Sequence, residues 1–256
     1  EKKFIFFFLI FNFFLIGLLD DKFNLKPLIR LFLLVITTSI FLSFFDNYII
    51  NNVYFEKIGV LISLNEYSFL FTLISIIFLT QILNFFDGID LQSGVYSIFV
   101  ISYISISLNL SILILLLIPI LFFLYLNRFH KIFLGDGGIY LLSFLISNLL
   151  IINYNNFTLT SEEVFLILLI PFLNFLRLFF ERIKNKKNPM DGDLNHIHHI
   201  FLRKFSFYET LMSIILLYTL PLLIYKILLN QFIFISALTI FVYFFVIYRF
   251  RDKSNF

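Results

Sequence analysis

Long apolar runs separated by short polar segments recur along the whole chain. A bilayer core about 30 Å thick takes roughly 17 to 25 helical residues to cross, and fewer where polar ends reach the headgroups. Runs of about this length fall near residues 4–19, 28–45, 67–84, 95–108, 111–127, 139–153, 163–181, 208–226 and 231–248. The pattern predicts an all-α integral membrane protein with about nine transmembrane helices. We expect these helices to form a single membrane domain over residues 1–256.

Composition supports a membrane protein and excludes several other classes. With 61% hydrophobic and 14% charged residues, a water-soluble fold would lack the polar side chains to cover its surface. The absence of cysteine excludes disulfides and thiolate metal sites. A net charge of +3 is too small to indicate binding to nucleic acid.

The basic residues are concentrated on one predicted face of the membrane. If successive runs cross in alternate directions, one face receives 15 of the 19 Lys and Arg residues, counting span ends with the nearer face. That face comprises segments 20–27, 85–94, 128–138, 182–207 and the tail after residue 248. By the positive-inside rule it is cytoplasmic. The longest segment of the other face, residues 46–66, is too short in its apolar stretches to span, so we expect a surface hairpin or strand there.

Five carboxylates lie at three span ends on the predicted inner face. They are Asp20, Asp21, Asp87, Asp90 and Asp136. A single such residue is usually a solvated loop carboxylate, but five in Gly- and Asn-rich stretches beside membrane helices indicate a function, because unpaired charge is costly there. A cluster of hard oxygen ligands suits Mg²⁺ or Mn²⁺, which bind one or two carboxylates together with substrate phosphates.

Glycines adjoin two of these carboxylates, in Asp87-Gly88 and in Gly135-Asp136-Gly137-Gly138. A glycine lets the backbone approach a phosphate or an ion closely. The alternative is that the glycines merely end helices, which is common. Each string alone leaves the two interpretations open.

The inner segment 182–207 combines a basic run with three of the four histidines. A basic run beside a membrane, here beginning at Arg182, is often an orientation signal or a lipid-headgroup contact. A transition-metal site at the histidines is disfavoured, because cysteine is absent and His196 and His198 would diverge on a helix. Hydrogen-bond donors to an anionic diphosphate fit His196, His198 and His199 better. We expect His198 to lie in this charged loop, outside the apolar core.

Four motifs in order give the chain a family resemblance. They are DDKFNLKP at 20–27, NFFDGID at 84–90, KIFLGDGG at 131–138 and DLNHIHH at 193–199. The chain thereby resembles the polyprenyl-phosphate N-acetylhexosamine-1-phosphate transferases, of the glycosyltransferase 4 type, over roughly residues 10 to 205. Because the last motif reads His-Ile-His-His, the resemblance is closer to the undecaprenyl-phosphate GlcNAc-1-phosphate branch than to the muramoyl-pentapeptide branch.

The resemblance implies a phosphotransferase that starts a cell-envelope glycan, such as cell wall or lipopolysaccharide. It would move an N-acetylhexosamine 1-phosphate from a UDP-amino sugar to polyprenyl (undecaprenyl) phosphate and release UMP. The expected setting is the bacterial inner membrane, in contact with membrane lipid and with the active site on the cytoplasmic face. Mg²⁺, or Mn²⁺, is the expected cofactor, and a homodimer is left open. The family also has N-terminal spans that this chain lacks, so we expect the chain to be incomplete at that end.

The resemblance also implies roles for individual residues. The implied catalytic residues are Asp20, which positions or deprotonates the acceptor phosphate, and Asp21 and Asp87, which assist it. The implied metal ligands are Asp136 and Asp87. The implied substrate-binding residues are Asn84, Asp90, Lys131, Arg182, His196, His198 and His199. Direct attack by the lipid phosphate and a covalent intermediate on Asp20 are both open.

Four positions depart from the family pattern and put the identity of the amino sugar in doubt. They are Gln81 in place of Asn, Leu91 in place of Gly, Ile139 in place of Ser, and Asn174 where an Asp often follows Pro171. These departures also leave room for a catalytically silent homologue.

Two other classes of membrane protein fit less well. A CDP-alcohol phosphotransferase needs Asp-Gly-x-x-Ala-Arg, whereas Asp87-Gly88 continues Ile-Asp-Leu-Gln. A cation or proton transporter would place its carboxylates near mid-bilayer on broken helices, and here they lie at one edge.

Overall fold

The computed structural model describes residues 2–108, 111–186 and 195–250, and it places a helix over each of the nine apolar runs. In chain order the helices are α1 (Lys2–Phe23), α2 (Pro27–Phe44), α3 (Ser68–Phe86), α4 (Gln92–Leu108), α5 (Leu117–Asn127), α6 (Gly135–Asn155), α7 (Ser161–Lys184), α8 (Ile197–Leu202), α9 (Phe207–Ile227) and α10 (Phe232–Phe250). The all-α class is therefore confirmed.

Seven helices within the described ranges are long and apolar enough to cross a bilayer. These are α1, α2, α3, α6, α7, α9 and α10. Helix α4 has 17 residues, and α5 has 11 residues preceded by a 3₁₀ segment at Ser111–Leu116. The chain is thus a multi-pass integral membrane protein, and the count of nine spans stays a prediction.

A short hairpin follows α2, in the segment where a hairpin or strand was expected. Strands β1 (Asn52–Phe55) and β2 (Val60–Ser63) pair antiparallel. The side chain of Tyr154, near the end of α6, joins the hairpin to the helices. Its hydroxyl donates to the carbonyl of Asn52 at 2.9 Å and accepts from the amide of Tyr54 at 3.0 Å.

The described residues form two compact units, Glu1–Ser161 and Glu162–Phe256. In the first unit α6 is the central helix, and it packs along α1, α3 and α4. Phe13 of α1 stacks on Phe144 of α6 with ring centroids 4.1 Å apart, and Phe41 of α2 meets Phe144 edge-on at 5.0 Å. These buried aromatic contacts hold the first two helices on α6.

The second unit contains α8, α9, α10 and nearly all of α7. Short helix α8 packs on α9 and α10, which also pack on each other. Lys226 near the end of α9 pairs with the buried Glu163 at the start of α7. The single domain over residues 1–256 stays a prediction.

Candidate active site

The site in the first unit is built where α1 crosses the beginning of α6. Gly17 lies so close to α6 that an added Cβ would overlap the carbonyl group of Asp136 and the Cα of Gly137. In the other direction, a Cβ on Gly137 would meet the side chain of Leu18 at 3.0 Å. Because both positions are glycine, the two backbones touch, and the end of α1 reaches the first turn of α6.

Asp21 caps the first turn of α6 from a distant part of the chain. Its carboxylate oxygens accept hydrogen bonds from the amides of Asp136 at 2.9 Å and Gly137 at 3.1 Å. The unpaired amides at a helix N-terminus favour such an anionic acceptor. Gly135 adopts φ +63°, and a Cβ there would come within 2.7 Å of the Asp21 carboxylate. Asp21 thus fixes the backbone that presents Asp136, and its predicted catalytic role stays a prediction.

Asp20, the preceding residue, is buried among three donors. Arg30 of α2 donates to Oδ2 at 2.6 Å, and the amide of Leu25 donates to Oδ1 at 3.0 Å. The hydroxyl of Tyr140, one helical turn beyond Asp136, lies 3.5 Å from Oδ2. Arg30 is a residue of this candidate site that the sequence analysis missed, since it entered only as one of many inner-face charges.

Asp136 and Asp20 come together at this crossing. Their carboxyl groups lie within hydrogen-bonding reach of each other. Asn84 at the end of α3 donates to Oδ1 of Asp136 at 3.0 Å. Two adjacent carboxyl groups repel when both are ionised, unless a proton or a cation lies between them. Of the residues predicted as catalytic, metal-binding or substrate-binding, this place thus brings together Asp20, Asp21, Asn84 and Asp136.

Asp87 and Asp90 belong to the neighbouring loop between α3 and α4. Asp87 interacts with Ser93 and Asp90. Burial raises the pKa of Asp87 to about 6; the neighbouring Ser93 side chain lowers this pKa, and the charge of Asp90 raises it. Asp90 pairs through Oδ2 with Nδ1 of the exposed His130 at 2.7 Å.

Asn127, at the end of α5, links this loop to the one before α6. Its buried amide donates to Oδ1 of Asp90 at 3.0 Å and to the carbonyl of Ile132 at 2.8 Å, and it accepts from the amide of Leu91 at 2.7 Å. The sequence analysis missed it, although an Asn ending an apolar helix beside two Asp-containing loops is a usable signal. Lys131 in the second loop is exposed, with its ammonium 5.9 Å from the ring centroid of Phe129.

The histidine segment lies in the second unit, at the start of α8. The rings of His196 and His198 stack with centroids 5.1 Å apart, and the rings of His198 and His199 lie 4.4 Å apart. His196 and His198 do not share a helix, as the argument for their divergence assumed: α8 begins only at Ile197, and His196 precedes it with φ −59° and ψ 151°. Within the described ranges, no group of three or more His, Cys, Asp or Glu side chains forms a metal site.

His198 is fully buried, which corrects the expectation that it lies in a charged loop outside the core. Among the described residues, neither of its ring nitrogens has a hydrogen-bond partner. Burial lowers the pKa of His198 to about 2, and the charges of His196, His199 and Arg177 lower it as well. The ring is therefore neutral at physiological pH.

Two buried side chains of α7 hold the chain just before and at the start of α8. Arg177 donates to the carbonyl of Asn195 at 2.6 Å, and Oδ1 of Asn174 accepts from the amide of Ile197 at 3.3 Å. The same Oδ1 accepts from Arg177 at 3.3 Å. Arg182, also on α7, is buried. Residues Asp191 and Asp193 of the same segment lie outside the described residues.

Comparison with known proteins assigns the chain to a family. Residues 3–154 match the model of Glycosyl transferase family 4. The chain belongs to this family. Family 4 membership therefore rests on the part of the chain that contains Asp20, Asp21, Asn84, Asp87, Asp90, Lys131 and Asp136, whereas the histidine segment lies beyond the matched residues.

Individual family 4 proteins resemble this chain at low sequence identity. An undecaprenyl-phosphate alpha-N-acetylglucosaminyl 1-phosphate transferase of Thermotoga maritima is 27% identical over 205 residues, covering 79% of this chain and 62% of that protein. The protein of the same name from Escherichia coli K12 is 24% identical over 207 residues, covering 73% and 55%. A probable undecaprenyl-phosphate N-acetylglucosaminyl 1-phosphate transferase of Bacillus subtilis is 27% identical over 201 residues, covering 72% and 54%. The chain thus spans little more than half the length of these relatives.

The donor set at the α1–α6 crossing fits the divalent cation that the sequence predicts. Asp20 and Asp136 supply adjacent carboxyl oxygens, which Mg²⁺ prefers and whose repulsion a cation relieves. A site with one or two protein carboxylates is typical where substrate phosphates complete the coordination. Asp87, the other predicted ligand, interacts with Ser93 and Asp90, so its coordination of the cation stays a prediction.

Proposed function

We propose that this family 4 chain carries the active site of an N-acetylhexosamine-1-phosphate transferase. The donor is a UDP-amino sugar, the acceptor is polyprenyl (undecaprenyl) phosphate, and UMP is released. The observation that carries the proposal is the meeting of Asp20 and Asp136 at one end of two membrane helices. The names of the similar proteins, each an undecaprenyl-phosphate N-acetylglucosaminyl 1-phosphate transferase, support the same chemistry.

The proposed location is the cytoplasmic face of the bacterial inner membrane. The predicted inner face receives 15 of the 19 Lys and Arg residues, which supports this orientation. An acceptor with an isoprenoid tail requires a site open to lipid, whereas a UDP-sugar arrives from water. A site at the end of membrane helices meets both requirements.

In the proposed reaction, an oxygen of the lipid phosphate attacks the phosphorus bonded to the sugar. The new P–O bond replaces the bond from that phosphorus to the bridging oxygen, which leaves with UMP. We infer direct attack, because both carboxylate oxygens of Asp20 already accept hydrogen bonds and Oδ2 is paired with Arg30. Asp20 then orients Arg30, whose guanidinium offers charge-assisted hydrogen bonds to the acceptor phosphate.

Asp136 and Asp20 are the proposed ligands of Mg²⁺, with Asp87 as a further candidate. When bound, the cation would neutralise charge on the phosphates and polarise the phosphoryl oxygens. Asp21 holds the amides of Asp136 and Gly137, so that the Asp136 carboxylate keeps a fixed position. Asn84 fixes one oxygen of that carboxylate by donating to it.

The histidine segment is the proposed contact for the donor diphosphate, together with Arg182. Because burial keeps His198 neutral, the ring would act as an N–H donor rather than as a cation. The positive charge for the diphosphate would come from Arg182. Asp90 and Lys131 remain proposed substrate contacts in the α3–α4 loop and the loop before α6.

A transfer assay tests the proposal directly. The protein in lipid nanodiscs with undecaprenyl phosphate and Mg²⁺ should convert UDP-GlcNAc or UDP-GalNAc, labelled in the sugar, into labelled lipid with one UMP per lipid product. Glu66→Gln, an exposed carboxylate on the other predicted face, is the matched control and should keep full activity. A correctly inserted protein that forms neither labelled lipid nor UMP with any UDP-amino sugar would refute the proposed activity.

A further inference from the structure

The backbone entering α8 is held by side chains rather than by another helix's backbone. Arg177 donates to the carbonyl of Asn195, and Oδ1 of Asn174 accepts from the amide of Ile197. These two backbone groups flank His196 on either side. A free amide and a free carbonyl at a helix start are the groups that a side chain can fix most directly.

Arg177 is itself fixed from two sides. Its Nε donates to the hydroxyl of Tyr243 on α10 at 3.1 Å, and its Nη1 pairs with Glu181, one turn further along α7, at 3.1 Å. A guanidinium has five N–H donors in a rigid plane, so a single Arg can serve several acceptors at once, which Lys cannot do. With only 7% of its surface exposed, Arg177 is a buried cation whose position is determined by these partners.

Asn174 completes the arrangement with one atom. Its Oδ1 accepts both from Arg177 and from the amide of Ile197, so the two side chains act on the segment together. An acceptor oxygen is what the position requires, and both Asn and Asp supply one. Ala and Leu do not.

We propose that Arg177 and Asn174 are positioning residues for the histidine segment, with Tyr243 as the brace of Arg177. They fix the backbone on either side of His196. They thereby determine where the rings of His196, His198 and His199 meet a diphosphate. The effect on substrate rests on the proposed function, whereas the effect on the histidines themselves does not.

The first test uses histidine reactivity and needs no enzymatic activity. Diethyl pyrocarbonate acylates accessible neutral imidazoles, and modification is read at each histidine by peptide mass spectrometry. In the unaltered protein, buried His198 should stay protected while His130, 71% exposed, reacts. In Asn174→Leu and Tyr243→Phe, His198 should react roughly 10-fold faster, as expected when local opening loses a hydrogen bond to a charged group. The reaction rate of His130 should be the same in all of these proteins.

Matched variants separate positioning from general damage. Asn174→Asp keeps the acceptor oxygen and should restore protection of His198. Tyr248→Phe removes a hydroxyl from the same helix as Tyr243 at an exposed position and should leave His198 protected. Melting temperatures that match the unaltered protein would show that the unit stays folded. If Asn174→Leu and Tyr243→Phe leave His198 protected, or if Asn174→Asp is as reactive as Asn174→Leu, the positioning role is wrong.

The second test measures transfer kinetics and asks whether Arg177 and Asn174 affect use of the UDP-sugar donor. For Asn174→Leu, kcat/KM for the UDP-sugar should fall roughly 10-fold or more, while KM for polyprenyl phosphate stays unchanged. Asn174→Asp should recover most of the loss. Changed His198 reactivity with unchanged donor kinetics would overturn the substrate part alone, and absence of transfer in the unaltered protein would instead refute the proposed function.

Discussion

Gly17 of α1 lies directly against the backbone of Asp136 in α6, with no room for a β-carbon between them. The contact places two consecutive carboxylates of α1 at the first turn of α6. Asp21 binds the amides of that turn, and Asp20 meets the side chain of Asp136. One close helix crossing therefore assembles the proposed site, and its geometry depends on a residue that has no side chain.

Gly17→Ala should separate the two helices and disturb the site. The added Cβ would overlap backbone rather than a flexible side chain, so the helices must move apart. Overpacking of this kind costs typically about 1–3 kcal/mol. We expect a lower melting temperature in detergent and a loss of transfer activity that exceeds the loss of folded protein. Leu19→Ala, at an exposed position of the same helix, is the control. Unchanged activity in Gly17→Ala would show that the close crossing is unnecessary.

Asp136→Asn should reduce turnover by on the order of 10³-fold, since an electrostatic contact at the reacting centre is worth several kcal/mol. The substitution keeps the size of the side chain, removes its charge and replaces one acceptor oxygen with an NH₂ donor. The control is Glu66→Gln, which removes an exposed carboxylate elsewhere. Retention of more than about a tenth of the activity at saturating Mg²⁺ would remove Asp136 from the ligand role.

The helices and the acidic cluster were predictable because each depends on local sequence. A helix lies over every apolar run, because a helix satisfies the backbone hydrogen bonds of an apolar segment within the segment itself. Asp20 and Asp136 were expected to share a face because alternating spans place their segments on the same side, and the structure brings the two carboxyl groups together.

Other features depend on contacts that sequence spacing does not encode. Asp21 and the amide of Asp136 are separated by 115 positions, so a cap formed across two helices leaves no local motif. Arg177 was hidden within an apolar run, where a lone cation could only be counted toward a face. His198 is buried in the first turn of α8, whereas the charged segment around it predicted exposure.

The orientation of the chain can be checked with reporters at two exposed loop positions. A single cysteine inserted after Lys186 should be cytoplasmic. A single cysteine inserted after Phe157, which is 96% exposed, should lie on the opposite side. The concentration of 15 of 19 basic residues on one predicted face is the physical reason. Cysteine labelling of intact and broken cells is the measurement, and native cysteine is absent. An external position for residue 186 would be incompatible with a cytoplasmic donor site at Arg182 and the histidines.

The buried neutral His198 should make stability depend on pH in a definite direction. Its pKa falls from the ordinary 6.5 to about 2 in the folded protein, mainly because of burial. Above pH 6.5 both folded and unfolded forms are neutral, so His198 has no effect there. As pH falls below 6.5 only the unfolded chain takes up the proton, and His198 lowers the free energy of unfolding by up to about 1.4 kcal/mol per pH unit.

Chemical unfolding in detergent at pH 5, 6, 7 and 8, compared between the unaltered protein and His198→Gln, measures this slope. The variant should be less stable at pH 8, because a buried ring is replaced, and should lose less stability between pH 6.5 and 5. Parallel pH profiles for the two proteins would mean that His198 accepts a proton in the folded state, and its assignment as a neutral donor would then fail.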